Sequence, residues 1–150
     1  MKKLIMITIL LSAFFSTSLN AQTKQDSLEV LETVSLYNQG WYEGDSTKMS
    51  KALHPELVKR MIQKYKDTGN DIISDLSYNM MMQYVIAGYG KHTPKEKQND
   101  TVTILDIYGD IATLKVDSYE IVDYLQLAKF DEKWKIINIL WTMKPYDSEK

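Results

Sequence analysis

Residues 101–144 read TVTILDIYGD IATLKVDSYE IVDYLQLAKF DEKWKIINIL WTMK, and the period of this stretch decides the fold. Apolar side chains recur at every second position, as they do in strands with one face turned to a core. Gly109-Asp110 supplies turn chemistry between Thr101–Tyr108 and Ile111–Glu120, which therefore pair as a hairpin. Ile121–Phe130 and Trp134–Lys144 form a second pair across Asp131-Glu132-Lys133.

Register decides which acids matter. A two-residue turn at Gly109-Asp110 sets Tyr108 opposite Ile111, Asp106 opposite Thr113 and Ile104 opposite Lys115. The core face is then Thr103, Leu105, Ile107, Ala112, Leu114 and Val116. Asp106, Lys115 and Asp117 fall on the other face, as an exposed charge ladder rather than a paired-carboxylate site. In the second hairpin a three-residue turn pairs Phe130 with Trp134. One face then carries Ile121, Asp123, Leu125, Leu127, Ile137, Ile139, Trp141 and Met143, with Asp123 as its one ionisable group, beside Trp141. A carboxylate on an apolar face must reach water in a cleft or find a partner. Desolvation is also how a carboxylate becomes a base or a hydrogen-bonding acid near neutral pH. A slip of one residue would turn Asp123 to the other face.

Upstream the period changes to that of helices. Val30, Leu31, Val34, Tyr37 and Trp41 form one stripe of an amphipathic helix over Ser27–Glu43. Gly44 suits its C-terminal end, and Asp45 is placed to cap a short helix that His54-Pro55 ends. Within Leu57–Tyr65 the alternation Val58, Arg60, Ile62 suggests a strand. Residues 66–70 read as a turn. Ser77 caps a helix running to about Tyr89, with Met80, Met81, Tyr84 and Val85 on one face. Gly88–Asp100, with Gly90, Pro94 and several lysines, reads as an exposed loop. Helices on one face of an antiparallel sheet give an α+β fold, with no repeat or second domain.

The first 21 residues stand apart. Lys2-Lys3, the apolar run Leu4–Phe15 and the small, polar stretch to Ala21 have the order of a secretory signal peptide cleaved after Ala21. The apolar run is too short to span a bilayer. The expected protein is thus exported, periplasmic or secreted, as one domain over 22–150 with 16 basic and 20 acidic residues.

Composition narrows the chemistry. With no cysteine, disulfides, thiolate nucleophiles, iron–sulfur clusters and a lipid anchor are excluded. Two histidines, His54 and His92, are too few for a multi-histidine metal site, and no cofactor is expected. The formal charge of −2 argues against nucleic acid or an anionic membrane as partner. Beyond the leader the aromatics are ten Tyr, three Trp and the single Phe130, a balance that suits a part-wet pocket. The candidate ligand-binding residues are Tyr37, Trp41 and Tyr84 as helical wall, Trp141 as sheet wall, Asp123 as polar anchor and His54 as a second anchor. Met80-Met81-Met82 is core packing or an adaptable wall. His92 gets no role.

Tyr37-Asn38-Gln39-Gly40, Gly44-Asp45, Leu53-His54-Pro55, 123–129 (DYLQLAK) and Trp134-Lys135-Ile136 together resemble the putative lumazine-binding family of the nuclear transport factor 2-like superfamily. That superfamily includes ketosteroid isomerase and SnoaL-like polyketide cyclases. The resemblance implies a curved antiparallel sheet around three N-terminal helices, a cone with a pocket, and a homodimer through the sheet. It implies no chemistry, because the superfamily holds both enzymes and non-catalytic modules. The leading expectation is a non-catalytic binder of a small apolar or aromatic molecule. Its alternatives are a cofactor-free isomerase, dehydratase or cyclase using Asp123 as base, with His54 as its other catalytic candidate, and a dimerisation module with a filled cavity.

Overall fold

In the computed structural model, which describes residues 24–145, six strands form one curved sheet in the order β2-β1-β6-β5-β4-β3, with helices on one face. The expected signal peptide lies outside the described residues. The α+β class is as read from the sequence. Most neighbours pair antiparallel, and β1 runs parallel to β6.

Helix α1 spans residues 24–43 and buries Val30, Val34 and Tyr37. Gly40 lets it approach α2 (Ser46–Ala52) closely, since a Cβ there would lie 2.8 Å from the Met49 backbone nitrogen. Asp45 caps α2 as expected, its carboxylate accepting from the Thr47 and Lys48 amides. The helix stops at Ala52, just before His54-Pro55. Both residues belong to β1 (Leu53–Lys64), where the pairing with β6 breaks between Leu53 and Val58. Such an irregularity is where a strand tolerates proline.

The sequence reading missed β2 (Asp71–Ser77), which pairs with β1. The strand suggested within Leu57–Tyr65 is present as part of β1, with Leu57 and Lys59 turned inward and Ile62 65% exposed. Helix α3 (Tyr78–Ile86) is capped by Ser77 and stops three residues early, because Gly88 takes a left-handed conformation at φ 77°. Met81 and Val85 of its expected face are buried, whereas Met80 is exposed. Residues 88–100 are not simply an exposed loop. They form two 3-10 turns, Tyr89–His92 and Lys95–Lys97, with Gly90 buried.

Strands β3 (Thr101–Tyr108), β4 (Ile111–Asp117), β5 (Ile121–Phe130) and β6 (Lys133–Met143) follow the expected order. A bulge between Ile104 and Asp106 corrects the first register: Ile104 faces Leu114 and Thr103 faces Lys115. An extra residue flips the rest of the strand, so Leu105 is exposed and Val102 and Ile104 pack on the core. Of the charge ladder, Lys115 pairs with Asp117 at 2.9 Å on the surface.

The second hairpin holds two departures that cancel. Its turn is the two residues Asp131-Glu132, at φ 46° and 61°, so Phe130 faces Lys133 and Lys129 faces Trp134. A bulge at Ile137 then restores the register, and Asp123 faces Trp141 as the sequence suggested. Trp134 and Ile136 replace Ile137 in the core.

Candidate functional site

The inner ends of α1, β1, β5 and β6 enclose a cavity of about 340 Å³. Five of the six candidate residues line it: Tyr37, Trp41, Tyr84, Asp123 and Trp141. His54 does not. It sits at the start of β1, stacked on Phe130 with ring centroids 4.6 Å apart, and its Nδ1 accepts from the Glu56 amide. This stack also takes Phe130, which was expected to pair with Trp134.

Asp123 is not the lone charge of its face. Lys59 Nζ donates to Asp123 Oδ1 at 2.7 Å, and the Tyr37 hydroxyl donates to Oδ2 at 3.0 Å. Lys59 also donates to the Tyr37 oxygen at 3.0 Å, closing a triangle of buried polar groups. The ammonium lies 4.9 Å from the Trp141 ring centroid, a cation–π contact. Burial, reinforced by the neighbouring Asp123 carboxylate, holds the Tyr37 hydroxyl well above the ordinary tyrosine pKa.

Lys59 escaped the sequence reading for a physical reason. Both faces of β1 carry a cation, Lys59 on one and Arg60 on the other, so charge alone did not say which turns outward. The signal was the fixed partner: one inward carboxylate calls for one inward cation.

Nearer the mouth, the Tyr42 hydroxyl donates to Asp100 Oδ1 at 2.6 Å, tying α1 to the segment before β3. Burial and the Asp100 carboxylate push Tyr42 above its ordinary pKa as well. Tyr89, His92 and Tyr119 complete much of the rim. Gly90 packs on the Trp41 backbone, where an added Cβ would collide with the carbonyl. The segment set aside as a loop thus builds one wall, and His92, assigned nothing, lies on it. Trp141 Nε1 is buried with no hydrogen-bond partner among the described residues. No cluster of metal-ligating side chains occurs among the described residues, and none of their helices is long and apolar enough to cross a membrane.

Three helices packed on a curved, open six-stranded sheet are the architecture of the nuclear transport factor 2-like class. The chain belongs to the putative lumazine-binding family, whose profile it matches over residues 25–142. Among solved structures, it is similar to a protein of unknown function from Shewanella baltica at 18% identity and TM-score 0.59, covering 81% of this chain and 95% of that one. A cystatin-like fold from Novosphingobium aromaticivorans matches at 11% identity and TM-score 0.59, covering 88% and 90%. A protein named as a putative dehydratase, from Streptomyces avermitilis, matches at 10% identity and TM-score 0.52, covering 81% and 98%. At these identities the likeness is one of fold. No curated protein matches the chain in sequence.

Proposed function

We propose that this protein binds a small, mostly apolar molecule in the aromatic cavity and does not turn it over. The observation that carries this reading is the engagement of both Asp123 oxygens, Oδ1 by Lys59 and Oδ2 by Tyr37. A general base needs an oxygen free to approach the substrate proton. Here that approach competes with two strong intramolecular donors, so Asp123 serves as a fixed polar floor. Aromatic walls with few polar groups are the usual make-up of a small-molecule site.

The alternative, an isomerase or dehydratase, draws on the name of the Streptomyces avermitilis neighbour and on the same carboxylate. Asparagine at position 123 does not separate the two cleanly, because it strands Lys59 without a counter-charge. A thermal-shift screen with planar apolar compounds does. Binding raises the melting temperature with ligand concentration, and the bound compounds return chemically unchanged. Recovery of an isomerised or dehydrated product would contradict the binder reading, as would a panel without any shift.

We further propose export by the N-terminal leader and pairing of two copies through the outer sheet face. That face carries exposed Ile62, Ile73, Tyr124 and Leu140 around a polar line in which Arg60 donates to Asn138 and Asn138 to Gln126. Mature protein starting at Gln22 would support the first. Sedimentation as a dimer that Leu140→Glu splits would support the second; a monomeric wild type contradicts it.

A further inference from the structure

Resting on the binder reading, we infer that the pocket selects an uncharged, planar ligand carrying a hydrogen-bond acceptor such as a carbonyl, which docks against Lys59, and that it discriminates against anions. Charge is the first ground. Of the ionised side chains lining the cavity, Lys59 is the single lysine or arginine, and it is already matched to Asp123 at 2.7 Å. The other two, Asp100 and Glu120, are both acidic. An anion entering past them would end beside a third carboxylate, with no unpaired lysine or arginine in the lining to receive it. Exposed His92 is the one other lining side chain that can carry a positive charge.

The second ground is the hydrogen bonding that the floor leaves over. An ammonium has three N–H bonds. Those of Lys59 reach Asp123 Oδ1 and the Tyr37 oxygen, so one is left over among the described residues. Trp141 Nε1 also lacks an acceptor among the described residues, but protein atoms cover it and close it to a ligand. Tyr37 has spent its proton on Asp123. What remains for a ligand on this floor is the one Lys59 N–H, and a ligand acceptor complements it. Shape is the third ground: Trp41, Tyr84, Tyr89 and Trp141 line a space of about 340 Å³, suited to one or two fused rings.

Three bicyclic probes test this by calorimetry on the purified protein: coumarin, neutral with a carbonyl; naphthalene, without an acceptor; and 2-naphthoate, an anion. The expected result is coumarin binding at least about tenfold tighter than either of the others, the scale of one hydrogen bond to a charged group. In Lys59→Met/Asp123→Leu, which removes both charges together, coumarin should lose this advantage over naphthalene. If 2-naphthoate binds as tightly as coumarin, or naphthalene does, the inference is overturned while the binder reading stands. Retention of the coumarin preference in a folded double variant overturns it equally. No heat from any probe would overturn both. The wild-type ranking decides even if the double variant fails to fold.

Discussion

Lys59 Nζ lies 2.7 Å from Asp123 Oδ1, with both side chains 7% exposed, and the two come from strands on either side of β6. A buried pair of this kind does not by itself signal stability, because desolvating two charges offsets their attraction. Breaking it by half is what costs. Lys59→Met or Asp123→Asn alone should destabilise the fold by about 3–5 kcal/mol, whereas Lys59→Met/Asp123→Leu should stay within about 1–2 kcal/mol of wild type. Denaturant unfolding of the three variants checks this; additive losses would contradict it.

Alkaline pH should weaken the fold through Tyr37 and Tyr42, whose hydroxyls are both held above the ordinary tyrosine value by burial and then by the Asp123 and Asp100 carboxylates. The native state keeps protons that the unfolded chain releases above about pH 10. Their contribution is therefore complete below that pH and is lost as pH rises through the folded-state values. Unfolding midpoints measured across this range should fall, and less steeply in Tyr42→Phe.

The Asp131-Glu132 turn places two non-glycine residues at positive φ, the geometry that favours Asn-Gly. Asp131→Asn/Glu132→Gly should raise stability by about 0.5–1 kcal/mol without altering ligand binding. A loss of stability in thermal unfolding would show that the carboxylates do something the backbone argument omits.

Gly90→Ala should damage the pocket more than the core. The new methyl would overlap the Trp41 carbonyl, forcing residues 89–92 away from α1. A cost of about 1–3 kcal/mol is expected, together with loss of coumarin binding. Unchanged binding would place this wall outside the site.

The order of elements was legible because both periods were clear: 3.6 through Val30, Val34 and Tyr37, and two through β4 and β5. The bulges were not. Nothing in the side chains of Leu105 or Ile137 distinguishes an extra residue from a paired one, so Leu105 was placed in the core that Val102 and Ile104 share. Asp123 was found opposite Trp141 only because the shorter turn and the Ile137 bulge shift the register in opposite senses. Strand β2 was hidden because it lies at the sheet edge, alternating half-buried and exposed residues with little apolar contrast. His54 was misplaced because a histidine before proline suggests a helix end, while its ring faces Phe130 from a strand.

The central claim is that the cavity above Lys59, Asp123 and Tyr37 holds a small molecule. Native mass spectrometry of the protein purified from its own cells tests it most directly. The account predicts a species heavier than the polypeptide by one small molecule, removed on denaturation and absent from Gly90→Ala. Wild-type protein at the bare polypeptide mass, which also gains no mass from added coumarin, would contradict it.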